Sequence, residues 1–138
     1  MTHSEPHAPL RFVVDTNALW WYISRSDRLS PAAAAVFELA LIGGAVLIVP
    51  AIALAELYYV SVKMGRSYTP ADLLKALEAV RGIRLSNLGK TQLELLDRLP
   101  EIPEMHDRLI AAEALALGVP VVTRDPVIAA SPQVQSIW

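Results

Sequence analysis

The sequence predicts an α/β fold in which short apolar strands alternate with helices. Three observations carry that reading. Phe12-Val13-Val14 and Val46-Leu47-Ile48-Val49 are short, branched, wholly apolar runs of the kind a parallel sheet buries on both faces. Ser30-Pro31 and Thr69-Pro70 each set a capping hydroxyl before a first-turn proline, the start signal of a helix. Asp15 ends the first apolar run, at the carboxyl end of a strand where open α/β sheets place their ligands.

The chain has 138 residues, a single-domain length sufficient for one core. Residues 1–9 read as a frayed polar tail without the basic-then-apolar order of a secretory signal, and residues 10–138 as one domain. The expected compartment is the cytoplasm. With 54% apolar and 19% charged residues, a homodimer or another partner is expected to cover surface. The absence of cysteine excludes disulfides and thiolate metal sites. His106 is the one histidine outside the tail, so a metal would be held by oxygen. A net charge of −2 exerts no global pull on nucleic acid, and RNA contact would need a local basic patch.

Asp15-Thr16-Asn17 is rich in capping residues, and Ala18 to Ile23 reads as a short apolar helix. Ser30-Pro31 opens an alanine-rich helix to about Ile42, stopped by Gly43-Gly44. Leu39 to Val62 carries a single charge, yet Gly43-Gly44 and Pro50 cut it below the roughly 20 apolar residues of a membrane span. Pro50 suits the first turn of a helix to about Met64. Inside that helix Glu56 is surrounded by apolar neighbours, a costly place for a carboxylate unless a cation or hydrogen bonds compensate it. Thr69-Pro70 starts a helix to about Val80, Ile83 to Leu85 a short strand, and Thr91 to Leu99 an amphipathic helix. The prolines of Leu99 to Pro103 precede a helix to Leu117, ended by Gly118. Asp107 lies in its early turns, where the helix dipole favours negative charge, and shares a stripe with Ile110, Ala111 and Ala114. It is therefore aimed inward, while Glu113 falls off the stripe and is expected in solvent. Val119 to Thr123 reads as a strand that tolerates Pro120 at its start, with Asp125 beyond its carboxyl end. Val134 to Trp138 can add an edge strand.

Four acids, Asp15, Glu56, Asp107 and Asp125, are thus expected to converge by position. Carboxylates crowded at one point repel unless divalent cations lie between them, and oxygen-only ligation selects Mg²⁺ or Mn²⁺, one ion or two. The chemistry that suits such a site is metal-assisted hydrolysis of a phosphodiester.

Val14-Asp15-Thr16-Asn17-Ala18-Leu19, the lone Glu56, Glu104 to Ala112 and Val122-Thr123-Arg124-Asp125 together resemble the PIN-domain nucleases, in particular the VapC-type toxins of toxin–antitoxin pairs. The resemblance runs from about Arg11 to Trp138. It implies a three-layer α/β/α fold with a central parallel sheet of four to five strands, Mg²⁺- or Mn²⁺-dependent RNA cleavage, homodimers, and inhibition by a VapB-type antitoxin. The acidic site it implies is Asp15, Glu56, Asp107 and Asp125, with Thr16 and Thr123 as supporting hydroxyls. Asp15 and Asp107 are expected to ligate metal. Asp125 either ligates or holds a metal-bound water, and Glu56 either ligates or accepts a proton from the attacking water. Many relatives have Asp where this chain has Glu104, which stays outside the core set. Arg108 and Arg124 either hold phosphate oxygens or pair with the neighbouring carboxylates. Lys63 and Arg66 are candidates for an RNA-facing rim. His106 is expected on the surface or at an interface, because sequence neighbours do not share a helix face. Trp20, Trp21 and Tyr59 are assigned to partner surfaces.

A haloacid-dehalogenase-type site wants a second Asp two residues after the first, where this chain has Asn17. A receiver domain wants an acidic pair that is missing here. A non-catalytic RNA- or protein-binding module on the same fold remains the alternative to an enzyme.

Overall fold

The computed structural model describes residues 8–66 and 68–138. Five parallel strands form one sheet in the order β3-β2-β1-β4-β5. β1 (Leu10–Val14) lies at its centre, pairing Val13 with Ile48 of β2 (Ala45–Pro50) and Val14 with Val122 of β4 (Val121–Val122). β3 (Ile83–Ser86) and β5 (Ser136–Ile137) are the edges. The apolar run of β1 is buried as a central strand requires: Val13, Val14, Leu47, Val49, Val121 and Val122 have no exposed surface.

The chain steps from β1 outward to β3, then returns across the sheet to β4 and β5. Right-handed crossovers in opposite directions place helices on opposite faces. The first direction carries α1 (Thr16–Ile23), α2 (Pro31–Leu41), α3 (Ala51–Lys63) and α4 (Pro70–Ala79). The second carries α5 (Lys90–Glu94), α6 (Met105–Leu117) and α7 (Pro126–Ala129). The reversal falls between β1 and β4, so a crevice opens beyond their carboxyl ends, where Asp15 and Asp125 leave the sheet. Among the described residues no helix is long and apolar enough to cross a membrane.

Several elements depart from expectation. Pro50 closes β2 and caps α3 instead of entering its first turn. The expected helix from Thr91 to Leu99 is α5 followed by a 3-10 turn at Leu96–Arg98. Pro100 disfavours helical backbone at Leu99, whose side chain is fully buried instead. The strand expected from Val119 to Thr123 shrinks to two residues. α7 was not anticipated; Asp125-Pro126 is its N-cap and first-turn proline, but four residues are too few to show periodicity. Glu113, expected in solvent, is only 3% exposed, because α6 is buried on two sides rather than along one stripe. Its oxygens accept from Ser86 Oγ and Gln92 Nε2, both at 2.5 Å. Of the expected tail, Ala8 and Pro9 are exposed coil and the rest lies outside the described residues.

Candidate active site

Asp15 follows the last residue of β1 and caps α1. Its Oδ1 accepts from the Ala18 backbone N–H at 2.8 Å, and its Oδ2 from the Thr123 hydroxyl. Thr123 Oγ1 in turn accepts from the Asp125 N–H at 3.0 Å, which locks the exits of β1 and β4 together. Burial pushes the Asp15 carboxyl up to about 6; the bonds from Thr123 and Ala18 oppose the rise, and the charges of Asp125 and Glu56 add to it.

Asp125 caps α7, its Oδ1 accepting from Val127 N–H at 2.8 Å. Asp107, in the first turn of α6, is raised to about 7 by burial, by a hydrogen bond with Asp125, and by the charges of Asp125, Glu104 and Glu56. Glu56 reaches in from α3, and Thr16 Oγ1 donates to its Oε1 at 2.9 Å. The four acids therefore come from four segments and feel one another at the crevice. Burial is the main cause of the raised carboxyls of Asp15 and Asp107, and the neighbouring acids add to the rise.

Glu104 and His106 join this group, which the helix-face reading of His106 did not anticipate. Glu104 caps α6 by accepting from Asp107 N–H at 2.7 Å, and His106 Nδ1 lies 2.5 Å from Glu104 Oε1 and 4.0 Å from Glu56 Oε2. A cap residue is not yet on the helical wheel, so the side chain at Glu104 can meet His106 two positions later. Partial burial pushes the Glu104 carboxyl up, but the bonds from Asp107 and His106 outweigh it and hold it below the usual value. The bond to Glu104 raises His106 above the ordinary imidazole value, with Glu56 adding to the rise.

The arginines are placed differently. Arg108 donates from Nε to Ile102 O at 2.5 Å and from Nη1 to Leu96 O at 3.4 Å, so its guanidinium braces the segment before α6 and not the acids. Arg124 lies over the Trp21 ring at 5.9 Å beside Asp15 and Asp125. Among the described residues neither arginine pairs with a carboxylate at ion-pair distance. Arg66 covers the Trp20 ring at 5.6 Å, and Lys63 ends α3 exposed. Trp20, assigned to a partner surface, is 6% exposed and belongs to the chain's own core. Trp21 is half-buried against Trp138, and Tyr59 is 71% exposed.

An all-oxygen set of carboxylates fits a hard divalent cation. Among the described residues no three acidic or histidine side chains already stand grouped around one ion position. The oxygens are turned instead to Ala18, Thr123 and Val127.

The PIN domain family matches residues 12–131, which takes in all four acids. The chain belongs to the PIN-domain family. Its members are generally nucleases. No curated protein matches the sequence. Solved structures with the same PIN fold include VapBC2 from Rickettsia felis bound to a DNA fragment from their promoter, at 18% identity and a TM-score of 0.70 over 92% of this chain and 97% of that one. DNA-bound VapBC from Salmonella typhimurium is similar at 19% identity and TM-score 0.65, over 92% and 96% of the two chains. A toxin–antitoxin complex from Klebsiella pneumoniae is similar at 20% identity and TM-score 0.62, over 88% and 93%. At such identities the likeness is one of fold.

Proposed function

We propose that this PIN-domain chain is a Mg²⁺- or Mn²⁺-dependent endoribonuclease, the toxin of a VapBC-type pair working in the cytoplasm. The observation that carries the reading is the meeting of Asp15, Glu56, Asp107 and Asp125 at the sheet's switch point, with two carboxyls raised by burial and further by their neighbours' charge. Asp15, Asp107 and Asp125 are the residues that would hold the cation. When bound, the ion supplies an activated water and charge stabilisation on the phosphate.

The chain's own groups divide the remaining work. Thr123 fixes the Asp15 carboxylate and, through the Asp125 N–H, the loop that carries Asp125. Thr16 occupies Glu56 Oε1 and leaves Oε2 to accept a proton from the attacking water. His106 and Glu104 hold the edge of the crevice next to Glu56. The partner is an antitoxin with an apolar helix. The cavity of about 610 Å³ lined by Leu19, Tyr22, Ile23, Leu73 and Leu77 gives such a helix a place beside α1 and α4.

The test is cleavage of single-stranded RNA by the purified chain. Cutting should require Mg²⁺ or Mn²⁺, stop with EDTA and resume when metal is restored. Cutting that persists in EDTA would contradict the proposal.

A further inference from the structure

Beside Asp15 a cavity of about 350 Å³ is lined by Asn17, Trp21, Arg124, Asp125 and Pro126 together with Asp15 itself. The cleavage chemistry uses only its two carboxylates. Its other walls have a chemistry of their own. Trp21 is steadied edge-on by Trp138, ring centroids 5.5 Å apart at 61°, and carries the Arg124 guanidinium 5.9 Å above its ring. Arg124 and Asn17 are exposed, and among the described residues neither side chain has a hydrogen-bond partner. The result is a π-surface, a planar cation and a free amide at the mouth of the acidic crevice.

We propose that this cavity is a nucleotide subsite that helps choose where RNA is cut. The base of an unpaired nucleotide next to the cleaved phosphate packs on the Trp21–Arg124 platform, and the Asn17 amide bonds to its polar edge. The inference rests on the ribonuclease reading. The size suits one nucleotide, lying at the small end of the roughly 300–1,000 Å³ range of ligand pockets. A duplex hides its base faces, whereas single-stranded bases stack on aromatic rings and guanidinium planes and show their edges to amides. A protein helix is the poorer occupant, because its apolar face would bury Arg124 and Asn17 without partners.

The test titrates the full chain carrying Asp15→Asn with short single-stranded oligoribonucleotides of mixed sequence in Mg²⁺, following tryptophan fluorescence. Binding should quench the fluorescence, and Trp21→Phe should remove most of the quench. Arg124→Gln, at an exposed position, should weaken binding roughly tenfold, the scale of one lost base stack. Asn17→Ala, also at an exposed position, should weaken it roughly threefold to tenfold, the scale of one lost hydrogen bond. In the chain with Asp15 intact, the same two changes should raise KM by a similar factor, leave kcat nearly unchanged, and blur the base preference beside the cut. Unchanged affinity, KM and cut pattern in all three variants, with cleavage still abolished by Asp15→Asn, would overturn the subsite and leave the nuclease standing. Cleavage that survives Asp15→Asn would remove the nuclease reading instead. Variants that keep RNA affinity but lose hold of a co-expressed protein partner would assign the cavity to a protein and overturn the proposal.

Discussion

At Asp15 one carboxylate ends a strand, caps a helix and ties β4 to β1 through Thr123, all while buried. Its carboxyl stands at about 6 and that of Asp107 at about 7, both above the usual value of 3.8. An acid whose folded pKa is raised favours the fold while protonated, and the advantage is lost as pH climbs from the unfolded value through the folded one. Without divalent cations, stability should therefore fall between about pH 4 and pH 7, as these two groups ionise. At about 1.4 kcal/mol per pKa unit, Asp15 contributes on the order of 1–3 kcal/mol, and the half-exposed Asp107 less because solvent screens it. Asn keeps the cap and cannot ionise. Asp15→Asn should flatten this slope and raise stability near neutral pH. Chemical denaturation in EDTA from about pH 4 to 8, spanning both titrations, checks it, and a wild-type stability that rises over that window would contradict it. A metal held by these two carboxylates would displace the same protons, so Mn²⁺ affinity should drop as pH falls through about 7 and 6. Calorimetry that finds one affinity from about pH 5 to 8 would count against these ligands.

At the scale of elements, α6 shows both the reach and the limit of a sequence pattern. The stripe through Asp107, Ile110, Ala111 and Ala114 was legible, as was its Gly118 stop, which takes a left-handed φ of 66°. The second buried side was not, because Glu113 looks like a surface residue until β3 and α5 supply Ser86 and Gln92 as donors. Those donors lie 27 and 21 residues away, and periodicity within one helix contains no such information. Glu113→Ala should strand both donors and destabilise the chain by about 1–3 kcal/mol, read by urea denaturation. A loss below a few tenths of a kcal/mol would mean water replaces the carboxylate, since a satisfied donor carries no such penalty. Glu104 and His106 escaped for a related reason, since a helical wheel says nothing about a cap residue and its neighbour. The 3-10 turn at Leu96–Arg98 shows propensity yielding to Pro100 and to the burial of Leu99.

For the whole molecule, the strands and the acids that end them were readable because a parallel sheet forces apolar runs and sends its ligand groups to one edge. Partner surfaces were less so: a tryptophan looks the same in a sequence whether it fills a core, as Trp20 does, or edges a cavity, as Trp21 does. The outer side of α3 is the better candidate for self-association, with Tyr59 and Val62, one turn apart, both exposed near the helix end. The isolated chain should sediment as a dimer at micromolar concentration, and Tyr59→Arg should shift it toward monomer; a wild-type monomer would contradict the expectation. The central claim is that four acids from distant segments form one cation-dependent cutting site. Its most direct measurement compares RNA cleavage by the wild-type chain with that of Asp15→Asn and Asp107→Asn, prepared identically and each shown to be folded, in Mn²⁺. Loss of cleavage by at least about a hundredfold in both, the scale on which removing a transition-state contact acts, is the predicted result. Undiminished cleavage in both, or none by the wild type, would contradict it, and the second outcome would leave a binding module on the PIN fold.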